Sequence, residues 1–149
     1  MKLLQSIYLT GQPSSVTAQQ KGVTMIAGRP HFYEKSCVSK AKQDLLTQLM
    51  KYAPDHPYQG PLEIHVLWLF EKKSLAKKRN NTYRTERPDL DNLFKGLADT
   101  LNKYFYVDDS HLSKVSLTKG WSNKDPGAGL YIKIYQLEPE DLRIDLENL

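Results

Sequence analysis

Apolar and polar residues alternate along four segments of the chain, with the period of two that is typical of β-strands. These segments are Leu3–Thr10, Pro61–Glu71, Leu112–Trp121 and Leu130–Leu137. In the second of them, Leu67 and Leu69 fill the alternate positions as well, which predicts a strand that is buried on both faces and central in a sheet. The turn residues at 123–127 predict that the last two segments pair as a hairpin.

Two other segments repeat apolar residues with the period of a helix. Ser39 is predicted to cap a helix that runs to about Tyr52, where Ala53 and Pro54 end it. A second helix is predicted from Pro88 to about Lys103, and its apolar positions are Leu90, Leu93, Phe94, Leu97, Ala98 and Leu101. The chain is therefore expected to fold as one α+β domain, with a mixed, mostly antiparallel sheet and two helices packed on it.

Three polar segments lie outside these elements. The pattern of residues 11–29 predicts a long loop or a loose hairpin, and a loop of this length in a small domain is usually functional. It is therefore expected to be an arm that contacts a substrate or a partner. Residues 72–87 form a strongly basic loop, and residues 138–149 form an acidic tail that is expected to be a short helix or a frayed end.

The composition agrees with a single soluble domain, because the 149 residues are 40% hydrophobic and 26% charged. No apolar stretch approaches the roughly 18 residues that a membrane span needs. Residues 1–10 lack the cleavage site of a secretory signal, so a cytoplasmic protein without a membrane partner is expected. The single cysteine, Cys37, agrees with a reducing compartment and is expected to be a small buried residue.

The charge is unevenly distributed. The formal net charge is +4, but the acidic tail holds five acidic residues against one arginine, so the rest of the chain is clearly basic. A basic body suggests a polyanionic partner such as DNA. The candidate DNA contacts of the basic loop are Lys72, Lys73, Lys77, Lys78, Arg79, Arg84 and Arg87.

Four aspartates around the second predicted helix are candidates for chemistry. Asp89 and Asp91 would occupy its first turn, where free backbone N–H groups favour carboxylates without any metal. Alternatively, a strand that returns after the helix brings Asp109, the second residue of the pair Asp108-Asp109, back to them. Three carboxylates then form an oxygen cage of the kind that holds Mg²⁺ or Mn²⁺. The preceding basic loop would dock phosphates beside such a cage, as metal-assisted phosphodiester hydrolysis requires.

Lys95 lies four residues after Asp91 and therefore on the same helical face. It either neutralises Asp91 as an ion pair or stabilises the charge that develops on a scissile phosphate, and the spacing favours neither. Asp99, four residues further on, is expected to hold Lys95 in place.

The strings Asp89-Leu90-Asp91-Asn92-Leu93-Phe94-Lys95, Ala98-Asp99-Thr100-Leu101 and Val107-Asp108-Asp109-Ser110 closely resemble, in order and spacing, the RusA family of Holliday junction resolvases. The clear resemblance runs from Pro88 to about Lys119. It implies that Asp89, Asp91 and Asp109 bind a divalent metal ion, with Asp108 as a further candidate ligand, and that Lys95 is the catalytic lysine. It also implies a homodimer that makes paired, symmetric nicks across a four-way DNA junction with Mg²⁺, for which Mn²⁺ would substitute.

Two alternatives remain open from the sequence. One is a metal-dependent nuclease that acts on other branched DNA or on RNA, because the residues before Pro88 do not exclude it. The other is a structure-selective DNA-binding protein without catalysis, whose acids only cap a helix. The histidines show no spacing typical of metal ligands, and His65 in the central strand is expected to be a core residue with its hydrogen bonds satisfied, whereas His111 merits a test.

Overall fold

The computed structural model describes residues 1–17, 21–71, 82–122 and 125–149. In chain order its main elements are β1 (Lys2–Thr10), β2 (Lys21–Ile26), β3 (Arg29–Glu34), α1 (Ser36–Met50), β4 (Leu62–Glu71), β5 (Thr82–Tyr83), α2 (Leu90–Leu101), β6 (Leu112–Ser122) and β7 (Gly129–Gln136). Five strands form a mixed sheet in the order β1-β7-β4-β6-β5, and β2 pairs with β3 in a separate hairpin. The pair β4–β6 is parallel and the other pairs of the main sheet are antiparallel. The α+β expectation is therefore confirmed.

The strand β4 is the middle strand of the sheet, as its sequence predicts. Its even-numbered residues, such as Ile64 and Trp68, belong to the core that also contains Leu49 of α1 and Leu97 of α2. On its other face Glu63 and Leu69 are buried, whereas His65 and Leu67 are partly exposed and Glu71 is exposed, so the predicted burial on both faces holds for only part of that face. A strand in the middle of a sheet has a neighbour on each side and is covered more fully than an edge strand. The continuous apolar pattern of β4 therefore predicts its central position correctly.

The strands β6 and β7 both lie within the described residues but do not pair with each other, so the predicted hairpin is wrong. Instead, β4 lies between them, parallel to β6 and antiparallel to β7. Neighbouring strands are only about 4.8 Å apart, so the six residues between Ser122 and Gly129 are enough to link two strands that lie on either side of β4. The turn residues predict that the chain changes direction between β6 and β7. They do not indicate which strand pairs with β6 or with β7.

The predicted helix cap at Ser39 is wrong, because α1 begins at Ser36 with Lys35 at its N-cap position. The Ser39 hydroxyl donates to the Glu34 carboxylate at 2.8 Å, and Lys42 forms an ion pair of 2.8 Å with the second oxygen of the same carboxylate. Glu34, at the end of β3, therefore joins the hairpin to α1. The predicted arm contains β2 and its turn, so the loose-hairpin alternative is the one found.

Cys37 is exposed, so the expectation that it is buried is wrong. Because α1 begins four residues earlier than predicted, with its N-cap at Lys35 and not at Ser39, Cys37 lies in its first turn, and the neighbouring Val38 takes the buried position. Within the described ranges, no helix is long and apolar enough to cross a membrane.

The two ends of the main sheet carry different connections. We call the end of the sheet at which β1 ends (Thr10) and β4 ends (Glu71) the upper end. The lower end is the one at which β4 begins (Leu62) and β7 ends (Gln136). Residues 11–17 leave the upper end towards the β2–β3 hairpin, and they line a cavity of about 400 Å³ together with residues of α1. The hairpin therefore projects from the upper end, whereas the acidic tail leaves the lower end.

Candidate active site

Asp89 and Asp91 lie at the N-terminus of α2. Asp89 holds the N-cap position with an extended backbone (φ −68°, ψ 146°), and its carbonyl accepts a hydrogen bond of 3.1 Å from the Leu93 N–H. Its carboxylate makes no capping hydrogen bond. Both carboxylates are exposed, and no group in the described part of the chain forms a hydrogen bond or ion pair with them. The helix terminus favours their charge, but both are left available to a ligand.

The segment before Asp89 is fixed to strand β6 by Lys119. The Lys119 ammonium donates to the carbonyls of Glu86 at 2.9 Å and of Pro88 at 2.7 Å. The Lys119 carbonyl in turn accepts a hydrogen bond of 3.1 Å from the Arg84 N–H. These bonds set the point at which the chain enters α2, and so the position of the Asp89 carboxylate.

Lys119 is absent from the residues that the sequence singled out, although the sequence holds a signal for it. In the β4–β6 register Lys119 lies opposite Trp68, whose side chain belongs to the core. A lysine at a core-facing position of an alternating strand has to find polar partners, because an unpaired buried ammonium is costly. Its partners here are backbone carbonyls beside the candidate site.

Arg84 is partly buried, and its side chain packs against two aromatic rings. Its guanidinium lies 4.1 Å from the ring centre of Phe70 and 4.6 Å from that of Trp121, and it donates to the Arg87 carbonyl. Burial lowers the pKa of Arg84, and the negative charge of Glu86 offsets part of that effect. The side chain of Arg87 is exposed and remains a candidate DNA contact. The candidates Lys72, Lys73, Lys77, Lys78 and Arg79 lie outside the described residues.

Lys95 lies in the middle of α2 with its side chain exposed. Neither Asp91 nor Asp99 lies within ion-pair distance of it in the part of the chain that the structure describes. The two ion pairs that the spacing allows are therefore not formed, and the ammonium is open to an external anion.

The pair Asp108 and Asp109 divides into two roles. The Asp108 carboxylate accepts a hydrogen bond of 3.1 Å from the Ser110 N–H and caps a short 3-10 helix, Asp109–His111. Hydrogen bonding to Ser110 holds the pKa of Asp108 below its usual value, and the positive charge of nearby Lys103 acts in the same direction. Asp109 is exposed and, among the described residues, its carboxylate has no hydrogen-bond partner. The geometry therefore favours Asp109 over Asp108 as a ligand.

Asp109 lies towards the other end of α2 from Asp89. The Tyr106 hydroxyl donates to the Ala98 carbonyl at 2.8 Å, close to the C-terminal end of the helix. Burial raises the pKa of Tyr106, and the charges of Asp109 and Asp99 raise it further because both carboxylates lie near the hydroxyl. Since α2 has 12 residues, it is about 18 Å long.

The course of strand β6 also places Asp89 and Asp109 far apart. Lys119 contacts the segment before Asp89, whereas Asp109 precedes Leu112 at the start of the strand. Seven residues of β-strand span about 23 Å. In agreement with this, no three His, Cys, Asp or Glu side chains of the described residues converge closely enough to hold a metal ion. One chain alone therefore does not form the predicted oxygen cage.

His111 and His65 both have hydrogen-bond partners within the fold. His111 uses Nδ1 to accept a hydrogen bond of 3.1 Å from the Gly60 N–H, so it joins the start of β6 to the loop before β4. His65 is partly exposed and lies 2.7 Å from the buried Glu63 carboxylate, which Lys114 also contacts at 3.2 Å. Burial raises the pKa of Glu63, but the hydrogen bonds from His65 and Lys114 outweigh it and hold the pKa below its usual value. His65 therefore serves a polar pair on the sheet surface, not the core.

Among the described residues, carboxylates without hydrogen-bond partners at the start of α2 and an unpaired lysine one turn away are the groups that metal-assisted phosphodiester hydrolysis uses. The family described as Endodeoxyribonuclease RusA matches residues 12–135. The chain is also similar to the crossover junction endodeoxyribonuclease rusA of Lactococcus phage r1t, with 37% identity over 99 residues that cover 64% of this chain and 72% of the relative. The chain therefore belongs to the RusA family of endodeoxyribonucleases, whose members require a divalent metal ion, and the resemblance seen in its motifs is confirmed.

Proposed function

We propose that this endodeoxyribonuclease resolves Holliday junctions by paired, symmetric nicks, with Mg²⁺ as its metal ion. The observation that carries the proposal is that the residues at the motif positions, Asp89, Asp91 and Asp109, are exposed, and their carboxylates make no hydrogen bond or ion pair with any described residue. Acids kept for a helix cap or an ion pair would be engaged. Carboxylate oxygens without nitrogen or sulfur ligands suit Mg²⁺, and Mn²⁺ accepts the same donors.

Each side chain then has a role. Asp89 and Asp91 would hold the metal ion from the start of α2, and Asp109 would complete the ligand set. Mg²⁺ held there would supply activation of a water for attack on the phosphodiester and stabilisation of the leaving oxygen. Lys95, one helical turn from Asp91, offers its unpaired ammonium to the charge that develops on the phosphate. The basic loop and exposed Arg87 dock the neighbouring phosphates.

The proposed enzyme is a homodimer, because one chain places its acids towards opposite ends of α2. A two-fold axis across the middle of the helix reverses its direction in the second copy. Asp109 of each copy then approaches Asp89 and Asp91 of the other, and the symmetry repeats the arrangement. Two equivalent sites result, as paired nicks on two strands require.

The test compares wild type with Asp89→Asn on a labelled four-way junction and on a linear duplex of the same sequence, each with Mg²⁺ and with EDTA. We expect paired nicks in the junction, which disappear in the variant and in EDTA. Equal cutting of the duplex would instead indicate a less selective nuclease, and junction binding without cleavage in Mg²⁺ would indicate a binding protein. Forked DNA and RNA are tested as further substrates, to distinguish a junction-specific enzyme from a nuclease that acts on other branched DNA or on RNA.

Lys119→Ala should slow junction cleavage about 10- to 100-fold and raise the Mg²⁺ concentration needed for half-maximal rate, because the segment that positions Asp89 loses its anchor. Lys119→Arg should restore part of the rate, since a guanidinium also donates to two carbonyls. The measurement is a Mg²⁺ titration of single-turnover cleavage, with Lys133→Ala as the control for loss of a lysine from the same sheet. An unchanged Mg²⁺ requirement in Lys119→Ala would contradict the positioning role.

A further inference from the structure

The acidic tail exposes apolar side chains that the rest of the described chain leaves uncovered. Leu142, Ile144 and Leu146 are 82%, 75% and 75% exposed. In the sequence they alternate with charged residues, which is the pattern of a strand with one buried face. In the structure Leu142 and Ile144 lie in a stretch without regular secondary structure, and Leu146 begins a short 3-10 helix, Leu146–Asn148. Asp145 fixes the end of the tail by accepting a hydrogen bond of 3.1 Å from the Glu147 N–H. The tail lies beyond residue 135, where the family match ends.

The β2–β3 hairpin carries a second uncovered apolar face. The register places Val23 opposite Phe32 and Met25 opposite Pro30 on that face, and Phe32 is 69% exposed. Glu34 joins the base of the hairpin to α1, but its tip projects from the body. A two-stranded hairpin is marginally stable in water by itself, so this one requires a partner surface on its apolar face.

The two uncovered surfaces have opposite charge. The tail holds five acidic residues against one arginine. The hairpin and its base carry Lys21, Arg29 and Lys35, and their one acid, Glu34, is already paired with Lys42 at 2.8 Å. Apolar residues on both and complementary charges around them match the composition of a protein–protein contact.

We propose that the acidic tail of one copy docks on the apolar face of the β2–β3 hairpin of a second copy. The contact is assigned between copies because, within one chain, Leu142, Ile144 and Leu146 stay exposed and do not pack on the hairpin. The tail leaves the lower end of the sheet and the hairpin follows its upper end, and the eight residues of β7 separate these ends by about 26 Å.

The docking rests on the homodimer of the proposed function and deepens it. Asp89 lies towards the upper end of the sheet, beside Lys119, and Asp109 lies at the lower end, just before Leu112. The two-fold axis that brings Asp109 of one copy to Asp89 of the other also places the lower end of each copy beside the upper end of its partner. The same symmetry therefore joins each tail to a hairpin and closes the dimer at two equivalent contacts.

The experiment measures dimer affinity of the full chain by sedimentation velocity over a concentration series. The tail variant combines Leu142→Ser, Ile144→Ser and Leu146→Ser, and the hairpin variant combines Val23→Ser, Met25→Ser and Phe32→Ser. Each should weaken the dimer about 100-fold, and their combination should weaken it no further, because both remove the same contact. A control with Leu3→Ser, Tyr8→Ser and Val115→Ser, at exposed apolar positions outside both surfaces, should change the affinity less than about twofold. The replaced side chains are exposed in the single chain, so thermal melting should show that all variants fold.

Additive losses in the combined variant would overturn the docking, because two separate contacts would then be involved. So would a hairpin variant that dimerises normally but binds the junction more weakly, which would make the hairpin a DNA contact. A wild-type dimer that cuts junctions while both variants also dimerise normally overturns the docking alone. A wild-type chain that stays monomeric at all concentrations overturns the proposed homodimer together with it.

Discussion

Replacing Asp91 by asparagine should slow junction cleavage at least about 1,000-fold, while junction binding is kept or improved. The amide oxygen is a weaker ligand for Mg²⁺, so the site loses its metal ion. The substitution also removes a negative charge that repels the DNA backbone. The Asp91 carboxylate is exposed and makes no hydrogen bond or ion pair with a described residue, so the fold should not change. Single-turnover cleavage in Mg²⁺ and gel-shift binding in EDTA measure the two effects separately.

The matched control is Asp55→Asn, which removes the same charge from an exposed aspartate in the loop before β4. It should leave both cleavage and binding within about twofold of wild type. If Asp91→Asn instead lowers the melting temperature and loses binding together with cleavage, the acid serves the helix terminus and not a metal ion.

Mixing two inactive variants, Asp91→Asn and Asp109→Asn, should restore cleavage. In a dimer with one copy of each, one site combines both substitutions, but the other combines Asp89 and Asp91 of one copy with Asp109 of the second, all unchanged. Random exchange of subunits makes half of the dimers mixed, so about a quarter of the wild-type number of sites should be active. The measurement is the nicking rate of a labelled junction after the two proteins are unfolded together and refolded.

The kind of nick that the mixture makes is a second measurement, beside the nicking rate. With one active site for each mixed dimer, single nicks should replace the paired nicks of the wild type. Each variant refolded alone is the control and should remain inactive. A mixture that stays inactive, although mass spectrometry of the intact complexes detects mixed dimers, would contradict a site built from two copies and would require all acids of one site to come from one chain.

The features that the sequence predicted correctly depend on local signals. The spacing of Leu93, Leu97 and Leu101 predicts α2, because a helix buries one face whatever lies opposite. The apolar residues on both faces of β4 predict its central place. The aspartate motif at the start of α2 is predictable from the sequence too, because the spacing of residues along one helix does not depend on other elements.

The features that the sequence missed depend on which elements meet in space. β4 lies between β6 and β7, and no pattern within those two strands encodes that order. The contacts of Lys119 follow from this order, because the parallel pairing of β6 with β4 brings the lysine beside Pro88. The distance between Asp89 and Asp109 also depends on how the elements meet in space. The motif predicts that these acids form an oxygen cage, but the described residues of one chain do not form it.

The distance between the acids along α2 also determines when the proposed enzyme is able to cut. A lone chain holds the acids of two half-sites and no whole one, so at concentrations where few dimers exist, activity rises with the square of the chain concentration. In the proposed arrangement, newly made chains would be inactive. The DNA around them would meet an active nuclease only after two copies had associated, so each cutting site would appear together with its pair.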